Sequence, residues 1–187
     1  MNNQRIYFIG SHSTGKTTMA RWVSQTYGLP MLTEVARAVL AEKEISLGRL
    51  RYDMNAVDEY QKEIYKRQID IEHSRTEESF VSDRAFDNLA YAAEHSLILS
   101  KLMEDLQFNK YIEWVSKGVI FFLRPQKVLM GNDEAREFVT WEGIIRIDAM
   151  IKFVLEQYEV PYIPIDTASM QERVRTVQFI MKRGSHG

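Results

Sequence analysis

The chain has 187 residues, no cysteine and a formal charge of −2. That length suits one domain with its own core, and the lack of cysteine excludes disulfides, thiolate metal sites and cysteine nucleophiles. Near-neutral charge gives no footing for sequence-independent nucleic-acid binding or for attraction to anionic membranes.

No apolar run approaches the ~18 residues that span a bilayer, and no basic-then-apolar leader precedes the first strand. The expectation is a soluble cytoplasmic protein with one domain over residues 1–183 and a tail at 184–187. The elements alternate between strand and helix, which predicts an α/β fold with a parallel sheet covered on both faces. Strands are expected at Arg5–Ile9, Pro30–Thr33, Phe80–Ser82, Val119–Leu123 and Tyr162–Ile165. Each is short, apolar and followed by polar or turn residues, as buried parallel strands are. Helices are expected at Lys16–Tyr27, Glu34–Glu42, Asn55–Thr76, Phe86–His95, Leu102–Lys117, Trp141–Tyr158 and Ser169–Lys182. Two stretches read as irregular: Glu44–Asp53 around Gly48, and Pro125–Phe138, where Arg124 before the proline is pushed out of the helical region.

Ligands of such sheets collect outside the carboxyl ends of the strands, so the residues just past each strand carry the chemistry. After the first strand comes Gly10-Ser11-His12-Ser13-Thr14-Gly15-Lys16-Thr17-Thr18. It matches G-x-x-x-x-G-K-[ST] in the strand–loop–helix setting that makes the pattern a phosphate-binding P-loop. Gly10 and Gly15 let the backbone curl around one anion, and the following helix adds its N-terminal dipole there. Lys16 then reaches the β- and γ-phosphates, and the Thr17 hydroxyl is placed to ligate Mg²⁺. A nucleoside triphosphate, ATP, is the expected ligand.

Glu34 and Arg37 follow the second strand and share a helix face. Two readings stand: Glu34 accepts a substrate hydroxyl while Arg37 neutralises an anion, or the pair is a dipole-favoured acid with a solvated arginine. Asp83, Arg84 and Asp87 follow the third strand. Asp83 suits Mg²⁺ beside Thr17 or general-base work on an acceptor hydroxyl, and Arg84 suits a phosphoryl group; the bland alternative is a helix cap paired with its neighbour. Arg124 leads into, and Arg136 lies within, a lid-like segment at about 125–138, where a basic side chain over the phosphates would stabilise transition-state charge; the alternative is a solvated charged loop. Arg136 is the better placed of the two. Asp133-Glu134 is not a strand-end metal pair, because Gly131-Asn132 separates it from the apolar residues. Gln61, Lys62, Gln68, His73 and Arg75 on the long helix border a cleft or, more simply, form a solvated face.

Together these residues resemble the nicotinamide riboside kinase domain of the bifunctional NAD-biosynthesis regulator and the small P-loop kinases grouped with it. The parts that carry the resemblance are Phe8–Thr17, Glu34-x-x-Arg37, the glutamine-bearing helix, Asp83, Arg136 and Tyr158–Ile165. It implies a P-loop kinase fold with a five-stranded parallel sheet, and a loop Asp166–Ser169 that borders the ATP base. Asp83-Arg84 looks closer to the Asp-Arg pair of nucleoside monophosphate kinases, which suits an acceptor already carrying phosphate.

The function expected is ATP-dependent, Mg-assisted phosphoryl transfer to a nucleoside or nucleoside monophosphate. Lys16, Asp83, Arg84, Arg136 and Glu34 would act in catalysis, Arg37 and Asp87 would help hold the acceptor, and Arg124 would help hold the nucleotide. The alternative is a regulatory ATPase or switch acting through a protein partner. A GTPase is disfavoured, since no D-x-x-G follows a strand and Asn109-Lys-Tyr-Ile112 lacks the aspartate of N-K-x-D. A ring ATPase would need a second helical domain.

Overall fold

The computed structural model describes residues 4–32, 39, 42, 53–75, 78–87, 90, 98–130 and 140–184. Along them run β1 (Arg5–Ile9), α1 (Lys16–Tyr27), β2 (Met31–Leu32), α2 (Met54–His73), β3 (Phe80–Ser82) and α3 (Ile98–Met103). Then follow α4 (Leu106–Ser116), β4 (Val119–Leu123), a 3₁₀ turn (Lys127–Leu129), α5 (Trp141–Gln157), β5 (Ile163–Ile165) and α6 (Met170–Gly184). The strands form one parallel sheet in the order β2-β3-β1-β4-β5.

Strand alternation sorts the core into two layers. Ile6 and Phe8 of β1 join Phe121 and Leu123 of β4 on one face, against Met19, Ala20 and Val23 of α1 and Val177 and Met181 of α6. Tyr7 and Ile9 join Ile120 and Phe122 on the other face, against Tyr65 and Ile69 of α2, Phe108 and Tyr111 of α4 and Ile151 of α5. Central strands buried on both sides read as continuous apolar runs, which is why β1, β3 and β4 match their sequence limits residue for residue.

β2 is shorter than expected, although its ladder reaches back to Pro30, whose carbonyl accepts from Val81 N–H at 2.9 Å. The expected helix Leu102–Lys117 is two helices. Asp105 divides them: its backbone is extended, and its side chain accepts from Gln107 N–H to cap α4. Asp53 likewise starts α2 by accepting from Ala56 N–H. Of the helix expected at Glu34–Glu42, Val39 and Glu42 are described and helical, and Val39 packs on Tyr60 and Ile64. Most of the helix expected at Phe86–His95 lies outside the described residues. No helix among them is long and apolar enough to cross a membrane.

β1 is the point from which the chain leaves in both directions, since β3 lies on one side of it and β4 on the other. A crevice opens at the carboxyl end of such a strand. The loop that follows β1 is the one that carries the P-loop pattern, Gly10–Thr17.

Candidate active site

The loop Gly10–Thr17 is shaped by residues at positive φ. Gly10 (φ 148°), Ser13 (φ 58°) and Gly15 (φ 89°) turn the backbone, and Gly15 leads into α1 without a side-chain cap. A helix N-terminus of this kind favours an anion. Gly10 also meets a steric demand, because a Cβ there would stand 2.5 Å from the Leu123 carbonyl oxygen at the end of β4. Ser11 and Thr14 are buried, Ser13, Gly15 and Lys16 half-buried, and His12, Thr17 and Thr18 exposed. Thr14 Oγ1 donates to Ser11 O at 3.0 Å. Lys16 folds over the loop, its Nζ donating to Gly10 O at 2.7 Å and Ser11 O at 2.8 Å. An ammonium held by loop carbonyls can turn to a stronger anionic acceptor.

β3 delivers the second group. Thr17 Oγ1 donates to Asp83 Oδ2 at 2.6 Å, which joins the start of α1 to the end of β3. Arg84 Nε lies 3.8 Å from Asp83 Oδ1 and is buried with no hydrogen-bond partner. The turn that carries both is fixed by Ser82, whose hydroxyl donates to Arg84 O at 2.8 Å and accepts from Gln68 Nε2 at 3.1 Å. Asp87 is buried: Oδ1 accepts from Ala85 N–H at 2.8 Å and Oδ2 from Gly10 N–H at 3.4 Å. Burial pushes the Asp87 carboxyl above its ordinary pKa, against the opposing pull of Lys16. Asp87 therefore braces the phosphate loop.

At the end of β4, Arg124 is held by two hydrogen bonds to the buried Asp148, Nε to Oδ1 at 3.1 Å and Nη2 to Oδ2 at 2.5 Å. Its guanidinium also lies 4.9 Å from the Phe122 ring centroid. Beside it, Gln126 Nε2 donates to Asp166 Oδ1 at 2.6 Å, linking the segment after β4 to the loop after β5. Glu34, Arg37 and Arg136 lie outside the described residues, as do Asp133 and Glu134.

Sequence reasoning missed two contributors, Glu72 and Arg173, and for Gln68 preferred a solvated face to a cleft border. Gln68 is not on a solvated face: it is 1% exposed and ties α2 to the Ser82 hydroxyl. Glu72 is fully buried and accepts from Tyr7, Gln68, Tyr111 and Trp114. Arg173 of α6 is 3% exposed and donates to Thr14 O at 2.6 Å, 159 positions away in sequence. An arginine in the first turn of an amphipathic helix gives no sequence signal of such a contact.

Thr17 and Asp83 are two adjacent oxygen donors of the type a hard divalent cation takes. Among the described residues there is no cluster of three or more metal-ligating side chains. A cation here would complete its shell with phosphate oxygens and water, as Mg²⁺ does at nucleotide sites.

A family model described as an AAA domain matches residues 5–173. No curated protein matches the sequence. Among solved structures, the chain is similar to deoxyadenosine kinase from M. mycoides with products dCMP and dCDP bound. Identity is 15%, over 98% of this chain and 100% of that one, with a TM-score of 0.65. It is also similar to NadR protein in complex with NR, at 19% identity over 89% of this chain and 44% of that one, TM-score 0.67. Shikimate kinase from Acinetobacter baumannii in complex with shikimate aligns at 13% identity over 97% of this chain and 95% of that one, TM-score 0.54. At such identities the likeness is one of fold. The family match runs from the first residue of β1 into α6 and takes in the phosphate loop and all five strands, so the chain belongs to the AAA domain family, in a fold shared with small kinases.

Proposed function

We propose that this protein transfers the γ-phosphoryl group of ATP to a small acceptor, a nucleoside or nucleoside monophosphate. The observation that carries the reading is the 2.6 Å contact between Thr17 Oγ1 and Asp83 Oδ2. It joins the hydroxyl of the phosphate loop to a strand-end carboxylate. Mg²⁺ bound beside this pair would offset charge on the β- and γ-phosphates.

This chain's own residues do the rest. The turn Gly10–Gly15 and the start of α1 bind the phosphates, and Lys16 exchanges its two loop carbonyls for phosphate oxygens. Asp83, engaged with Thr17, serves orientation of the phosphate end. Glu34, two residues beyond β2 in sequence, is then the carboxylate that takes the acceptor proton. Arg84, whose Nε has no hydrogen-bond partner, faces an anionic group of the acceptor or the moving phosphoryl. Arg136 closes over the phosphates as the lid arginine, Arg37 holds the acceptor, and Arg124 borders the nucleotide base, where its plane is fixed by Asp148. Little covalent chemistry is required, because positioning and electrostatics carry most phosphoryl-transfer catalysis.

Solved kinases of the same fold support phosphoryl transfer in general, and the Asp83-Arg84 turn supports an acceptor that already bears phosphate. The test is Asp83→Asn with a panel of nucleosides and monophosphates, products being read by mass spectrometry. The wild type is expected to add one phosphoryl group to a member of the panel, and the variant to lose that activity while keeping ATP affinity within a few-fold. Transfer at the wild-type rate by the variant would overturn the site assignment.

A further inference from the structure

Arg173 is the buried cation that the nucleotide-binding reading does not use. Its guanidinium makes no ion pair with a carboxylate among the described residues. Nη1 donates to Thr14 O at 2.6 Å and Nε to Thr167 O at 2.7 Å, and Nη2 is buried without a hydrogen-bond partner. A Cβ on Gly15 would lie 2.7 Å from Nη1, so the glycine is what lets the guanidinium press against the loop. A buried charge without a counter-ion is costly. This one sits directly behind the turn where phosphate is expected.

The geometry of the peptide unit says what it does there. No cis peptide occurs among the described residues, so the Gly15 N–H points opposite to the Thr14 carbonyl. With that carbonyl turned toward Arg173, the Gly15 N–H points away from the guanidinium. A charge-assisted bond on the carbonyl also polarises the amide and makes its N–H a stronger donor. The second bond, to Thr167 O, anchors the guanidinium to the loop after β5, so it cannot follow the phosphate loop if that loop opens.

We infer that Arg173 is a positioning residue for phosphate binding: from behind the loop, it fixes and polarises the Thr14–Gly15 peptide so that the Gly15 N–H meets the anion. The inference rests on the P-loop reading and does not depend on which acceptor is used. It also gives the uncompensated guanidinium a counter-charge, which arrives with the ligand. Burial holds the Arg173 pKa below its ordinary value, in line with a cation that has no carboxylate partner among the described residues.

The experiment uses inorganic tripolyphosphate, which has neither base nor acceptor, titrated calorimetrically into the full chain and into Arg173→Met and Arg173→Lys. Thr14-Gly15 is the single Thr-Gly step in the sequence. ¹³C-carbonyl threonine with ¹⁵N-glycine therefore isolates the Gly15 amide as one NMR signal. The methionine variant is expected to bind tripolyphosphate about tenfold or more weakly, as loss of a charged hydrogen bond implies. Its Gly15 proton should shift upfield, and the lysine variant should fall between it and the wild type in both readouts. A merely structural arginine would change the melting temperature and leave the affinity and the Gly15 signal of the folded protein unmoved; that result overturns the inference. Should Arg173→Met not fold, wild-type affinity and an unshifted signal in Arg173→Lys overturn it equally. A chain that phosphorylates no acceptor yet binds tripolyphosphate through Arg173 would defeat the kinase reading and leave this one standing.

Discussion

Thr17 and Asp83, 66 residues apart in sequence, are joined by a 2.6 Å hydrogen bond from hydroxyl to carboxylate. The bond crosses from the first turn of α1 to the residue just past β3, the place where a doubly wound sheet opens its crevice. Two motifs that the sequence offers separately thus become one site. Thr17→Val, which keeps the shape and removes the donor, is expected to slow transfer on the order of 10²-fold, with ATP affinity reduced less. Pre-steady-state rates beside equilibrium binding make the distinction.

Gly10→Ala tests the packing of the loop against β4. The added methyl would meet Leu123 O at 2.5 Å, at a φ of 148° that side chains rarely adopt. The expected cost is about 2 kcal/mol or more, with loss of nucleotide binding. Urea denaturation and ATP titration check both, and a variant as stable as the wild type would show that the loop is not seated as described.

Arg124 separates two roles. With both Nε and Nη2 committed to Asp148, it is not a side chain that swings in with a closing lid. Arg124→Ala is therefore expected to raise the KM for ATP several-fold and leave kcat nearly unchanged. A fall in kcat at constant KM would instead assign it to transition-state charge.

Glu72 gives a pH prediction. Four donors converge on it, yet burial pushes its carboxyl above the ordinary value. Between the ordinary glutamate value, about 4.3, and the raised one, the folded state binds more protons than the unfolded state. The contribution of Glu72 to stability is then fullest below the ordinary value and is lost as pH rises through the raised one. Glu72→Gln places an amide N–H₂ among donors and is expected to destabilise by about 1–3 kcal/mol. Its deficit relative to the wild type should shrink as pH rises from about 4, where the unfolded chain titrates. Denaturant midpoints at a series of pH values measure it, and a deficit that widens with pH contradicts the sign.

Much of this was legible in the sequence because the signals are local. β1, the phosphate loop and α1 follow from an apolar run, two glycines and helical spacing within 23 residues, Arg5–Tyr27. The division at Asp105 could have been read from an aspartate just ahead of an apolar-periodic run, the usual start of a helix. What was not legible depends on distance along the chain. Gln68 looks like any polar residue on an amphipathic helix until Ser82 and Glu72 are placed against it. Arg173 has partners in two loops that only the closed sheet brings to α6.

The most direct measurement couples two products in one reaction. ADP formation and acceptor phosphorylation are followed together under Mg²⁺ and ATP, with and without the acceptor identified from the panel. The account predicts ADP release that depends on acceptor, equals phosphorylated acceptor one for one, and disappears in Asp83→Asn. ADP release at the same rate with and without every acceptor would contradict it and describe instead an ATPase whose partner is a protein.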